Sequence, residues 1–204
     1  MSFSTLISKA VPLAEDNVDT DAIYPGRFLL RIDKQGAGAC LFYDKRVGSN
    51  NTVHVIDHPT FKDAQILLAG ENFGCGSSRE QAVWALHDFG FRCIIAKSFG
   101  EIFYSNCINN HILPIVIVDN DYQVLMSAAE SLHSFHVDLN SKQLSVQGGP
   151  TITFDISQQH QNMLLKGLDE IGLQLKNDSA DIDSFEAAQK QSQPWLWQPI
   201  FESI

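Results

Sequence analysis

The chain has 204 residues, 44% of them hydrophobic and 19% charged, which suits one domain with a sizeable core. Its formal net charge of −10 argues against nucleic acid or an anionic membrane surface as a partner, and it requires any anion site to be locally basic. No apolar run approaches the about 20 residues that span a bilayer, and the N-terminus lacks a signal peptide's basic start and apolar middle, so a cytoplasmic location is expected.

Residues 1–16 read as a short strand around Val11-Pro12-Leu13. Asp16-Asn17-Val18-Asp19-Thr20-Asp21 is dense in turn formers and acids. A calcium loop would need a glycine and a bidentate Glu at fixed spacing, and Ala22-Ile23-Tyr24-Pro25 supplies neither. A turn held by Asx hydrogen bonds is the plainer reading. Segment 24–40 carries Arg27, Arg31 and Lys34 along with Gly36 and Gly38. It reads as a basic, mobile loop that closes over a substrate or moulds against a partner, although both arginines also fit as solvated loop charges. His54 and His58 have no third ligand at a recognisable spacing and are assigned structural roles.

The centre of the chain is Gly70-Glu71-Asn72-Phe73-Gly74-Cys75-Gly76-Ser77-Ser78-Arg79-Glu80. Ile66-Leu67-Leu68-Ala69 before it is an apolar run without alternation, as in a strand covered on both faces. Ser77 and Glu80 have capping-box spacing, which predicts a helix beginning there, with Ala82, Val83, Leu86 and Phe89 on one face and Gly90 as its stop. A helix N-terminus offers unpaired N–H groups and a partial positive charge, and an arginine can grip a carboxylate with two parallel hydrogen bonds. Two readings fit: a carboxylate site formed by Arg79 beside the Ser77 and Ser78 hydroxyls, or a capped helix with a solvated first turn.

Phe91–Lys97 and Ile112–Val118 read as further buried strands, with a helix from Ser98 through Cys107 between them. This predicts βαβ units on a parallel sheet. Ser98 and Asn109 fit either as further site residues or, more simply, as a helix cap and a helix C-terminal polar group. A helix from Asp119 to about Ala129 follows. Alternation at Phe135, Val137 and Leu139, then Leu144 and Val146, then Ile152, Phe154 and Ile156, predicts an antiparallel meander. Ser157 is placed to cap a helix through Leu165, and another helix is expected from Asp181 to Lys190. The whole is expected to be one α/β domain, 1–204, with a C-terminal extension, 174–204. Its aromatic Pro194-Trp195-Leu196-Trp197 is expected to dock on the domain or on a partner.

Cys40, Cys75, Cys93 and Cys107 match no zinc or iron–sulfur spacing. This chain is therefore expected to bind no metal or cofactor.

Asn72-Phe73-Gly74-Cys75-Gly76-Ser77-Ser78-Arg79-Glu80 resembles the signature of the swivelling domain of the aconitase superfamily, most closely its family of small subunits of bacterial 3-isopropylmalate dehydratases. Asn17-Val18-Asp19-Thr20-Asp21-Ala22-Ile23 resembles a second hallmark of that family. Ile102-Phe103-Tyr104, Asn109-Asn110, Leu113-Pro114 and Gly167–Leu173 extend the likeness over nearly the whole chain. The resemblance implies a swivelling β/β/α three-layer domain. It also implies a hydro-lyase acting on a small dicarboxylate in leucine biosynthesis, active only with a large subunit that holds a [4Fe–4S] cluster. That cluster would act as Lewis acid on the departing hydroxyl. By the same resemblance Ser77 is the base, Asp21 belongs to the catalytic site, and Ser78 and Arg79 bind the substrate. Arg27 or Arg31 would add a second contact from a loop that shapes the side-group pocket. A sister hydro-lyase acting on citramalate or homoaconitate would share both motifs. A non-catalytic dicarboxylate-binding module is the alternative from another class.

Overall fold

The computed structural model describes residues 2–31, 33–48, 53–76 and 78–198. In chain order the elements are β1 (Thr5–Leu13), α1 (Thr20–Ile23), α2 (Tyr43–Val47), β2 (Ile66–Ala69), α3 (Glu80–Phe89), β3 (Cys93–Ala96), α4 (Glu101–Asn109), β4 (Leu113–Val116), α5 (Asp119–Glu130), β5 (Ser134–Asp138), β6 (Gln143–Val146), β7 (Thr151–Thr153), α6 (Gln158–Lys166), α7 (Glu170–Asn177) and α8 (Ser179–Ser192). Short 3₁₀ turns at Gly26–Phe28 and Ala37–Cys40 punctuate the long segment between α1 and α2.

The seven strands form one sheet in the order β4-β3-β2-β1-β5-β6-β7. The expected α/β fold is found, and its parallel and antiparallel portions are joined edge to edge through β1. Residues Thr5 to Lys9 of β1 pair antiparallel with β5, and Ala10 to Leu13 pair parallel with β2. Pro12 falls where β1 has a neighbour on one side only, a position that accommodates a missing N–H. Pro114 likewise lies on β4, at the edge of the sheet.

Strands β2 and β3 are buried at every position because helices cover both faces. Ile66, Leu68, Cys93 and Ile95 point into a core shared with α5 and α6. Leu67, Ala69, Ile94 and Ala96 point into a second core shared with α3. Ser157 caps α6, its hydroxyl accepting from His160 N at 3.1 Å. The helix α7 is an addition to the sequence expectation. The C-terminal α8 runs two residues further at each end than expected, and neither α7 nor α8 buries a residue.

Two local readings are corrected. Helix α3 starts at Glu80, with Arg79 as N-cap in extended conformation and without a side-chain cap bond. Glu80 is thus the first residue of α3 rather than the third position of a capping box. Its Oε1 accepts instead from Asn110 Nδ2 at 2.8 Å. Ser98 does not cap α4; its hydroxyl accepts from Asn72 N at 2.8 Å, and Gly100 is the N-cap.

Candidate active site

Three connections leave the C-terminal ends of parallel strands β1, β2 and β3, the edge at which open α/β sheets place their ligands. Backbone bonds lace them together. Thr20 N donates to Cys75 O at 3.0 Å and Gly74 N to Val18 O at 2.7 Å. Phe73 N donates to Ser98 O, and Gly100 N to Phe73 O, each at 3.0 Å. Asn17 and Asn72 both hold left-handed backbones, φ 54° and 55°, which asparagine tolerates better than most residues. Asn72 Nδ2 donates to Asn17 Oδ1 at 2.8 Å, which clamps the first connection to the second.

Gly74 is required by space as well as by its φ of 73°, because a Cβ there would overlap the Phe103 ring of α4. The backbone can therefore pass directly over α4. This leaves a cavity of about 170 Å³ lined by Thr20, Cys75, Gly76, Arg79, Glu101 and Asn106 among others. Asp19 caps α1 through a bond from Ala22 N at 2.7 Å and so fixes where Asp21 emerges.

Asp21 and Arg79 stand 58 positions apart in sequence and meet here, the Arg79 guanidinium donating to the Asp21 carboxylate. The Arg79 side chain is 17% exposed and that of Asp21 is 56% exposed, so the pair sits at the mouth of the cavity. Gly26 lies against both partners. A Cβ on it would stand 3.5 Å from Asp21 Oδ1 and 3.8 Å from the Arg79 guanidinium. The segment 24–40 thus begins at the site.

The other expected residues divide. Ser77 lies outside the described residues. Ser78 is exposed, next to Arg79 in the chain. Arg27 pairs with Asp44 and stacks over Phe28 and Tyr43, at 5.0 and 5.3 Å to the ring centroids. Arg31 Nη1 reaches Cys40 Sγ at 3.5 Å. The contacts of both arginines are thus made within the loop and α2 rather than with the Asp21–Arg79 pair. Thr20, Glu101 and Asn106 line the cavity, although the motifs do not single them out as site residues. The sequence places Asn106 only on a helix face, and nothing local connects it to Arg79.

A larger cavity, about 580 Å³, lies elsewhere, lined by Lys34, Trp84, His87, Asn110, His111 and Asp169 among others. Neither Asp21 nor Arg79 borders it, and the chemistry is assigned to the smaller one. Among the described residues no three His, Cys, Asp or Glu side chains are placed to hold a metal. Cys40, Cys93 and Cys107 are buried and Cys75 is half-buried. Desolvation pushes the Cys93 and Cys107 thiols up, away from the thiolate that metals require. The residues present do not fit an iron–sulfur cluster. No helix among the described residues is long and apolar enough to cross a membrane.

The family model of the aconitase C-terminal domain matches residues 1–120, and that of the C-terminal domain of the 3-isopropylmalate dehydratase small subunit matches 170–196. The 3-isopropylmalate dehydratase small subunit of Jannaschia sp. (strain CCS1) is 46% identical over 199 residues, spanning 95% of this chain and 98% of that one. The chain belongs to the family of 3-isopropylmalate dehydratase small subunits. The small subunit of Caulobacter vibrioides (strain NA1000) is 44% identical over 96% of this chain and 98% of its own. A solved 3-isopropylmalate dehydratase structure from Methanocaldococcus jannaschii shares the fold with a TM-score of 0.67 at 27% identity, over 88% of this chain and 99% of that one. Membership of a small-subunit family implies a large-subunit partner.

Proposed function

We propose that this chain is the small subunit of a 3-isopropylmalate dehydratase. With its large subunit it interconverts 2-isopropylmalate and 3-isopropylmalate by loss and re-addition of water, in leucine biosynthesis in the cytoplasm. The reading rests on the Asp21–Arg79 pair at the glycine-lined cavity, in a chain that aligns nearly end to end with such subunits.

Arg79 binds one carboxylate of the substrate, which takes the place that the Asp21 carboxylate holds in the chain alone. Ser78 donates a hydrogen bond to the same group. Ser77 is the base that removes the proton beside the carboxylate, and Asp21 completes the catalytic set. A serine hydroxyl ionises too weakly to do this unaided, so the positive helix end and the arginine lower the cost of its alkoxide. The [4Fe–4S] cluster is assigned to the large subunit. The exposed Phe185, Trp195 and Leu196 of the C-terminal segment are assigned to the contact with that subunit.

The loop favours an isopropyl side group over a third carboxylate. The charge of Arg27 is already matched by Asp44, while Leu30, 94% exposed, offers apolar surface. Arg31 stays available for a second substrate contact.

The test is anaerobic mixing of the purified chain with a cluster-loaded large subunit, following the absorbance of the unsaturated intermediate. Turnover only in the mixture, strongest with 3-isopropylmalate and lost in Ser77→Ala, is expected. A preference for citramalate or homocitrate would move the chain to a sister enzyme. Full turnover by Ser77→Ala would refute its assignment as base.

A further inference from the structure

Among the described residues Asn110 is one of three buried polar or charged side chains, 8% exposed at the C-cap of α4. Its amide is fully engaged. Oδ1 accepts from Lys34 Nζ at 2.9 Å, and Nδ2 donates to Glu80 Oε1 at 2.8 Å and to Asn106 O at 2.9 Å. An ammonium can only donate, and a carboxylate and a carbonyl can only accept, so these partners admit one orientation of the amide.

The three partners belong to three separate parts of the site. Glu80 is the first residue of α3 and is covalently next to Arg79. Asn106 lies one turn back in α4 and lines the cavity with Arg79. Lys34 belongs to the segment that begins against the Asp21–Arg79 pair, and its ammonium also stands 5.1 Å from the Trp84 ring, one turn further along α3. The N-cap, Arg79, makes no side-chain capping bond and turns its guanidinium to Asp21 instead, and among the described residues Glu80 ties that first turn to the end of α4.

We infer that Asn110 is a positioning residue for Arg79, a buried amide that sets the first turn of α3 against α4 and the 24–40 loop. The inference rests on the carboxylate-binding role given to Arg79 above. Asn110 touches no substrate. It acts by holding Glu80, and through Glu80 the backbone from which Arg79 projects. A buried amide bonded on all sides has one low-energy arrangement, whereas a half-satisfied one leaves a desolvated group that rearranges its neighbours.

The test uses Asn110→Asp, Glu80→Gln and the double variant. The first sets a carboxylate against Glu80 and the Asn106 carbonyl. The double variant restores a donor–acceptor pair between positions 80 and 110 and keeps an acceptor for Lys34. In the reconstituted two-subunit enzyme, Asn110→Asp is expected to raise KM for 3-isopropylmalate about tenfold, leaving kcat within about twofold, and the double variant to recover most of that loss, the scale of a coupled pair. In the isolated full chain, the Arg79 side-chain Nε–H resonance is expected to shift or broaden in Asn110→Asp and return in the double variant. A fall in kcat and KM performance that merely follows loss of folded protein, or a double variant no better than Asn110→Asp, would overturn the inference. If the unaltered pair of subunits does not turn over isopropylmalate, the dehydratase reading fails, and the Arg79 resonance alone then decides the role of Asn110.

Discussion

The two halves of the sheet obey different rules. In the parallel half, β2 and β3 are buried at all four positions, and their connections knit into the cavity that holds Arg79. In the antiparallel half, β5, β6 and β7 alternate, with Phe135, Val137, Leu144, Val146 and Ile152 inward and polar residues outward. A doubly covered strand cannot tolerate change on either face, and its connection inherits that rigidity. A half-wet meander joined by hairpin turns imposes no such demand on its loops. The site therefore belongs to the end of the molecule where backbone position is most tightly determined.

The largest effect expected from this contrast is on activity. Arg79→Ala should lower kcat/KM about 10³-fold, about 4 kcal/mol, as a bidentate charge-assisted contact to the substrate is lost. The fold should survive, because Asp21 left behind is 56% exposed and solvated. A melting temperature that collapsed along with activity would mean that the pair is structural. The next effect is on stability. Gly74 and Gly148 have nearly the same φ, 73° and 72°, but a Cβ at Gly74 would overlap Phe103, whereas nothing lies within 4 Å of one at Gly148. Gly74→Ala should cost about 3 kcal/mol or more, overpacking added to strain, and Gly148→Ala about 1 kcal/mol, strain alone. Equal costs in urea unfolding would show that the two halves are equally adaptable.

What the sequence reveals follows the same division. Unbroken apolar runs mark β2, β3 and β4, alternation marks the meander, and the capping chemistry of Ser157 marks α6, because each signal is local. The dual pairing of β1 is invisible, since nothing in Thr5–Leu13 records that its partner changes at Ala10. The site is legible as two motifs but not as a meeting. Asp21 and Arg79, Asn17 and Asn72, and Glu80 and Asn110 are each joined across 58, 55 or 30 positions by tertiary packing. The capping-box reading put Glu80 at the third helical position, whereas it is the first, and its carboxylate meets a partner 30 positions away. In sequence Arg27 reads either as a substrate contact or as a solvated loop charge and Lys34 only as part of a basic loop, and the fold alone supplies their partners, Asp44 and Asn110.

The smallest expected effect is one of pH, and it separates the halves by window. Burial first, then the charge of Arg92 and the neighbouring His111, lower the His87 imidazole from 6.5 to about 4, with Asp88 opposing weakly. Its folded pKa lies below its unfolded value, so the unfolded chain binds the proton first. Stability is then full above about pH 6.5 and falls as the pH drops toward about 4. Because His87 is only half-buried, screening should hold the loss to about 1 kcal/mol. In the antiparallel half, Asp138 is held below its ordinary 3.8 by the Ser141 hydroxyl and the Asn140 amide. A depressed carboxylate stabilises above its unfolded pKa and gives that up only as pH falls past 3.8 toward its folded value. Urea midpoints at about pH 7.5, 5 and 3.5 should therefore show an early loss that His87→Gln removes and a later one that Asp138→Asn removes. An early loss that persisted in His87→Gln would transfer it to His111 or His54, whose imidazoles burial also lowers.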